Sequence, residues 1–274
     1  MPDGGLTLSG LTVALGGRVV VNDVGFAAAR GQVTVLLGPN GAGKSTVLKA
    51  VAGILPYEGQ VLLGGQNAAN LQPRARARQV AYVPQASGLD APMPVRDVVA
   101  QGRFAHGPGI SLLPDWWVGR RPGETAQVAA AMERTDTLAL ADRLYSQLSH
   151  GERRRVLIAR AFCSAAPVLL LDEPTAALDV GHALALLAVL HRVARDGTAV
   201  VLVLHQLQEA AAVADHVVLL QGGRLFQQGT AAEVIAPGPV RAVYGVDLVP
   251  EAQFACRLPA AEGSAPALQK GDEK

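Results

Sequence analysis

The residues that decide the fold are Gly38-Pro-Asn-Gly-Ala-Gly-Lys-Ser-Thr46, a glycine-rich turn that ends in Lys-Ser-Thr. An apolar run of strand length, Val33 to Leu37, precedes the turn, and a helical pattern, Val47 to Val51, follows it. Glycines allow backbone N–H groups to close around phosphate oxygens, and the helix N-terminus adds the positive end of its dipole. Strand, turn and helix in this order therefore predict a phosphate-binding loop.

The side chains of this loop predict ATP and Mg²⁺ as its ligands. We expect the Lys44 ammonium to reach the β- and γ-phosphates and the Ser45 hydroxyl to bind Mg²⁺. The alternative is a glycine-rich turn with an exposed lysine, which the flanking strand and helix disfavour. The predicted nucleotide-binding residues of the loop are Gly38, Pro39, Asn40, Gly41, Ala42, Gly43, Lys44, Ser45 and Thr46.

A second stretch, Val168-Leu-Leu-Leu-Asp-Glu-Pro174, ends a buried strand with two adjacent carboxylates. Asp172 suits Mg²⁺ bound through a water, and Glu173 suits a general base that polarises the attacking water. A strand that ends in a solvated acidic turn is the alternative interpretation. A phosphate-binding loop alone leaves kinases, GTPases and motor-type ATPases open, so this second stretch favours hydrolysis.

Composition disfavours nucleic acid as a partner, because 24 Lys and Arg are balanced by 23 Asp and Glu. Hydrophobic residues make up 50% of the 274, yet their runs are too short for a membrane-spanning helix. The N-terminus resembles no secretion signal, so we expect a location on the cytoplasmic side. We expect Cys163 to fill the core and Cys256 to belong to the tail.

The order of patterns along the chain predicts an α/β fold. Residues 6–29 and 59–63 alternate in short stretches, which indicates an antiparallel β-layer. Continuous apolar runs at 33–37, 168–171 and 199–204 indicate parallel strands covered on both faces. Residues 86–163 are interpreted as an inserted, mostly helical subdomain, with helices near 124–141 and 151–162. Residues 247–274 are interpreted as a C-terminal tail, which we expect to be disordered from about residue 255.

Further motifs accompany the two phosphate-site stretches in a fixed order. They are Gln85 in Tyr82-Val-Pro-Gln, Leu148-Ser-His-Gly-Glu152, Ala177-Leu-Asp179, and His205 at the end of a strand. The whole set resembles the ATP-binding subunits of ABC transporters, over about residues 6–246. The resemblance implies a P-loop NTPase core with a mainly parallel sheet, an antiparallel β-layer and an inserted helical subdomain.

The resemblance also implies roles for individual residues. Gln85 and His205 would join Glu173 in catalysis, and Gln85 would join Ser45 and Asp172 around Mg²⁺. Ser149 can cap the helix that starts near Gly151, which creates a second anion-binding helix N-terminus. In the family this surface completes the ATP site of another subunit, so we expect a head-to-tail dimer. The remaining predicted nucleotide-binding residues are Ser149, Gly151, Asp179 and Leu15.

The chain departs from the family pattern at three positions. Leu15 stands near the position of the aromatic that stacks on adenine, and Gln206 replaces the acid after His205. In Leu148-Ser-His-Gly-Glu152, which resembles the family signature, His150 replaces the first glycine. We expect aliphatic contact from Leu15 and a weaker preference for the base. Trp116 and Trp117 are candidates for either the permease contact or the subdomain core.

Within the family, the closest resemblance is to ATPases of importers for iron-siderophore complexes, haem and cobalamin. It depends on motifs at residues 95–106 and 229–246. The implied partners are a second copy of the chain, integral membrane permease subunits and, indirectly, an extracytoplasmic substrate-binding protein. An exporter, an importer of another substrate, or a soluble regulatory ATPase remains the alternative.

Overall fold

The computed structural model describes residues 5–85, 92–107, 122–176 and 178–248 of the chain. Two sheets and nine helices, counted over these ranges, make up the fold. Trp116, Trp117, Ala177, Cys256 and the tail beyond residue 255 lie outside the described residues. In the part of the chain that is described, no helix is long and apolar enough to cross a membrane.

The larger sheet has six strands in the order β10-β9-β3-β8-β7-β6. Strands β3, β6, β7, β8 and β9 run parallel, and β10 joins β9 as an antiparallel hairpin. The predicted parallel strands are confirmed by β3, β7 and β8, whose residues are all buried. The strand bounds are β3 Val33–Leu37, β6 Val80–Val83, β7 Val168–Asp172, β8 Ala199–Val203, β9 His216–Gln221 and β10 Arg224–Gly229.

The smaller sheet is antiparallel, as predicted, with the strand order β2-β1-β4-β5. Its strands are β1 Leu6–Leu15, β2 Arg18–Ala28, β4 Glu58–Leu63 and β5 Gln66–Asn67. Alternation along β1 and β2 directs one set of side chains inward, and these pack with helix α1, Lys44–Val51, in a buried cluster. This cluster covers one face of the six-stranded sheet and positions the β1–β2 hairpin beside the phosphate-binding loop.

Nine helices surround the sheets in the described ranges, and all but the first two cover the other face of the six-stranded sheet. Their bounds are α1 Lys44–Val51, α2 Pro73–Gln79, α3 Val95–Ala100, α4 Pro122–Arg134, α5 His150–Cys163, α6 Val180–Arg195, α7 Leu207–Val213, α8 Ala231–Val234 and α9 Pro237–Tyr244. Helices α3, α4 and α5 lie between β6 and β7 and share a buried cluster with the sheet. The predicted subdomain boundaries at 86 and 163 stay a prediction.

The predicted helix over residues 124–141 is wrong in its C-terminal part, because α4 ends at Arg134. Asp136 adopts φ of 52°, a left-handed conformation that cannot continue an α-helix. The Thr135 and Thr137 hydroxyls both donate to the Met132 carbonyl oxygen at 3.2 Å, which satisfies the end of the helix. A short 3₁₀ turn, Leu138–Leu140, follows.

Candidate functional site

The glycine-rich loop lies at the carboxyl edge of the six-stranded sheet, between β3 and α1. Gly38 has φ of 144°, and a Cβ there would lie 2.2 Å from the Leu220 carbonyl oxygen. Gly43 caps α1 with φ of 94°. The glycines therefore allow a turn that passes directly over the neighbouring strand and enters the helix, so that the first amides of α1 face the loop.

Lys44 lies inside the loop and is only 5% exposed. Its ammonium donates to the carbonyl oxygens of Gly38 at 2.7 Å and Pro39 at 3.0 Å. Burial lowers the pKa of Lys44, and the nearby Glu173 and Asp172 carboxylates oppose that effect. A buried cation beside backbone amides suits the phosphates of a nucleotide.

Ser45 and Asp172 meet directly, although 127 positions separate them in the sequence. The Ser45 hydroxyl donates to Asp172 Oδ1 at 2.9 Å, and the Tyr82 hydroxyl donates to Oδ2 at 3.3 Å. Asp172 is 2% exposed, and burial raises its pKa against the opposing effect of these two hydrogen bonds. Tyr82 was missed by sequence reasoning, although it stands three residues before Gln85 in the same motif.

Glu173 follows Asp172 at the end of β7, and both of its carboxylate oxygens have partners. Gln85 Nε2 donates to Oε2 at 2.6 Å, and His205 Nε2 lies in close contact with Oε1. The Glu173 backbone has φ of 50°, and its N–H donates to the Val203 carbonyl oxygen at 3.1 Å. Strain of this kind persists where surrounding contacts hold it, as at active sites.

The strand order explains why these residues converge. Strands β3, β8, β7 and β6 are adjacent and parallel, so their carboxyl ends meet at one edge. The loop follows β3, His205 follows β8, Asp172 ends β7 and Gln85 follows β6. Ligands bind at such edges of α/β sheets, which makes this the candidate nucleotide site.

Comparison with known proteins supports this interpretation of the site. A sequence model of a family described as ABC transporter matches residues 21–176, more than half of the chain. The chain belongs to the ABC transporter family. The match includes the phosphate-binding loop, Gln85, Ser149 and the Asp172-Glu173 pair.

Curated relatives of this ABC chain include two import proteins. The chain is 44% identical to a hemin import ATP-binding protein of Streptomyces coelicolor, over 86% of this chain and 81% of the relative. It is 40% identical to a cobalamin import ATP-binding protein of Halobacterium salinarum, over 87% of this chain and 58% of the relative.

Solved structures with the same fold also belong to ABC transporters. One is an inward-facing ABC transporter described as of metal-chelate type, with a TM-score of 0.75, 25% identity and coverage of 89% of this chain and 90% of the other. Another is part of an ABC transporter complex of Clostridium perfringens, with a TM-score of 0.72, 26% identity and coverage of 88% and 94%. These similarities confirm the predicted α/β fold class.

The signature of this ABC chain forms a second helix N-terminus, at α5. Ser149 caps α5, and its hydroxyl accepts from the Glu152 N–H, while Glu152 Oε2 accepts from the Ser149 N–H at 2.8 Å. His150 is exposed at the first position of the helix. Among the described residues, the hydrogen bonds of the Ser149 side chain stay within this capping box, and none joins Ser149 to the loop of its own chain.

Asp179 and Leu15 also lie apart from the hydrogen-bonded centre. Asp179 caps α6 through the His182 N–H, which donates to Oδ1 at 2.9 Å. Leu178, beside Asp179, lies 3.5 Å from where a Cβ on Gly151 would be, so these two helix starts are neighbours. Leu15 is 40% exposed at the β1–β2 hairpin.

Proposed function

We propose that this chain binds ATP with Mg²⁺ and hydrolyses it to drive import of an iron chelate, haem or cobalamin through a separate membrane permease. The observation that carries the proposal is the Glu173 carboxylate, which Gln85 and His205 hold beside the Ser45–Asp172 pair. This arrangement provides a general base, its two orienting partners and a cation site at one sheet edge. Membership of the ABC transporter family supports the same conclusion.

Ser45 and Asp172 fit Mg²⁺ as ligands. Mg²⁺ prefers oxygen donors, keeps several waters and binds through one or two carboxylates together with substrate phosphates. A hydroxyl and a carboxylate oxygen 2.9 Å apart at the end of the loop match this donor set. Bound Mg²⁺ would neutralise charge on the β- and γ-phosphate oxygens. Gln85, also predicted as a ligand, donates its amide to Glu173 instead in this structure.

Glu173→Gln tests the proposed base. The variant keeps the size of the side chain and its contact with Gln85 but cannot accept a proton, so turnover should fall about 100-fold or more. ATP binding should persist, because the loop and Lys44 are unchanged. Glu133→Gln, an exposed glutamate on α4, is the matched control and should keep the wild-type rate. Wild-type turnover in Glu173→Gln would remove Glu173 from its role.

We propose that a second copy of the chain completes each ATP site by contributing the residues opposite the phosphate-binding loop. Ser149 and Gly151 present the N-terminus of α5 as an anion-binding surface, yet their hydrogen bonds do not reach the loop of the same chain. A head-to-tail pair would place each α5 terminus opposite the loop of its partner. Efficient hydrolysis would then need two chains.

Complementation between two inactive chains tests this pairing. Lys44→Ala disables the loop, Ser149→Arg blocks the α5 terminus, and each variant alone should be inactive. Their mixture should recover activity, because a mixed dimer holds one site with an intact loop and an intact terminus. If the mixture stays as inactive as its components, the site does not draw on two chains.

The transported substrate and the partners are proposed from the relatives. Hemin and cobalamin import proteins are among the similar curated chains, and a transporter of metal-chelate type is among the similar structures. We place the chain at the cytoplasmic face of the membrane, bound to permease subunits that receive substrate from an extracytoplasmic binding protein. Uptake of haem, cobalamin and ferric siderophore should be compared in cells that lack the chain. If none of the three changes, the importer assignment is wrong.

A further inference from the structure

Arg154 is a buried cation that the predicted chemistry does not use. It is the second of three consecutive arginines on α5 and is 8% exposed. Burial lowers its pKa, while the charges of Asp172, Tyr82 and Glu173 oppose that effect. A buried guanidinium is stable only where its N–H groups find acceptors, so the partners of Arg154 indicate its role.

Within the described residues, the Arg154 guanidinium has four hydrogen-bond partners, all of them backbone carbonyl oxygens of two site segments. Nη1 donates to Pro84 in a short contact and to Gln85 at 3.2 Å, just after β6. Nη2 donates to Asp172 at 2.5 Å, and Nε donates to Pro174 at 3.4 Å, at the end of β7. One planar group therefore ties the Gln85 segment to the Glu173 segment.

These contacts lie beside two residues whose side chains meet, Gln85 and the proposed base Glu173. The carbonyls of Asp172 and Pro174 flank Glu173, whose left-handed backbone needs support. The carbonyl of Gln85 is held by the same guanidinium, and the Gln85 amide donates to Glu173 Oε2 at 2.6 Å. Arg154, Gln85 and the segment from Asp172 to Pro174 therefore form a closed ring of contacts.

We propose that Arg154 is a positioning residue for ATP hydrolysis, which fixes Gln85 and Glu173 relative to each other and to the signature helix α5. The proposal rests on the proposed ATPase function. Arg154 lies five residues after the cap Ser149, about 7.5 Å along the helix axis at 1.5 Å per residue. A shift of α5 when its terminus engages a nucleotide would therefore reach the backbone of Gln85 and of the segment from Asp172 to Pro174 through the Arg154 side chain.

A purely structural arginine would make a different prediction. Loss of such a residue would lower stability and leave turnover per folded chain unchanged. Loss of a positioning residue would lower kcat and leave the KM for ATP nearly unchanged, because none of the four Arg154 hydrogen bonds reaches the loop. Misplacement of catalytic groups by about 1 Å can cost on the order of 100-fold in rate.

The experiment compares Arg154→Gln and Arg154→Lys with wild type in the full chain, with thermal unfolding, ATP binding and steady-state kinetics for each. We expect kcat of Arg154→Gln to fall at least about tenfold with KM within about threefold, and Arg154→Lys to recover part of the loss. Arg134→Gln is the matched control on α4. It loses an ion pair with Asp196, 2.6 Å long, outside the site and should keep the wild-type kcat.

A double variant that combines Arg154→Gln with Gln85→Ala tests whether Arg154 acts on kcat through Gln85. Because Arg154 acts through Gln85 and Glu173, the losses in kcat should be clearly less than multiplicative. Wild-type kcat in folded Arg154→Gln, multiplicative losses, or failure of both Arg154 variants to fold would overturn the proposal. ATP hydrolysis by the wild-type chain is measured in the same assay. If the wild-type chain does not hydrolyse ATP, the proposed function has failed. If it does, any of the contrary results above overturns only the proposal for Arg154.

Discussion

Replacement of Thr34 by valine should stabilise the protein. Thr34 lies in β3, the central strand that leads into the loop, and its side chain is 0% exposed. Its hydroxyl oxygen has no hydrogen-bond partner among the described residues. A buried polar group without a partner costs about 1–3 kcal/mol, and valine has nearly the same shape without that group. Thr34→Val should therefore raise the free energy of unfolding by about 1–3 kcal/mol.

Urea unfolding and thermal unfolding both measure this change. For a chain of this size, each kcal/mol should raise Tm by about 2–4 °C. Thr137→Val is the matched control, since this threonine is equally buried but its hydroxyl donates to Met132 and pairs with Thr135. It should destabilise by about 1 kcal/mol or more. If both variants lose stability alike, the Thr34 hydroxyl has a partner and the reasoning is refuted.

Two further predictions concern the loop and the distant helix α8. Gly38→Ala should destabilise more than Gly41→Ala, since a Cβ at Gly38 meets the Leu220 carbonyl oxygen whereas a Cβ at Gly41 has no neighbour within 4 Å. Equal free energies of unfolding for the two variants would contradict this. The pKa of Glu233 is lowered by hydrogen bonds from the Thr230 N–H and hydroxyl. A lowered pKa contributes stability above the ordinary value of 4.5, and that stability is lost as the pH falls through the folded-state pKa. Glu233→Gln should therefore melt below wild type at pH 7 and converge with it at acid pH, and a gap independent of pH would argue against the capping box.

The sequence predicted strands correctly where apolar runs were continuous. Strands β3, β7 and β8 are such runs, and each is buried on both faces. Strand β6 was not predicted, because Val80–Val83 has only four residues and includes the polar Tyr82. Helix α4 was extended too far, since the left-handed turn at Asp136 depends on local hydrogen bonds that apolar spacing does not reveal.

The residues of the candidate site also fall into those that the sequence identified and those that it did not. Motif spacing identified Ser45, Asp172 and Glu173, the family resemblance identified Gln85 and His205, and the sheet order brings these five together. The neighbours that support them were not identified, because their importance depends on tertiary contacts. In the run of arginines at 153–155, residue type does not distinguish one position from the next. The helical periodicity of α5 distinguishes them, since Arg154 lies on the same buried face as Ile158 and Ala161.

The groups that would meet phosphate or the attacking water already have partners within the chain. Lys44 donates to two loop carbonyls, Ser149 shares the carboxylate of Glu152, and Glu173 holds both Gln85 and His205. A nucleotide must exchange these hydrogen bonds for its own, so its affinity is the difference between two sets of contacts rather than the sum of the new ones. At Ser149 the exchange also sets two anions, the Glu152 carboxylate and a phosphate, in competition for one helix N-terminus. In the proposed dimer, this competition weakens the binding of a phosphate to the partner's α5 terminus, and removal of the Glu152 charge should strengthen that binding.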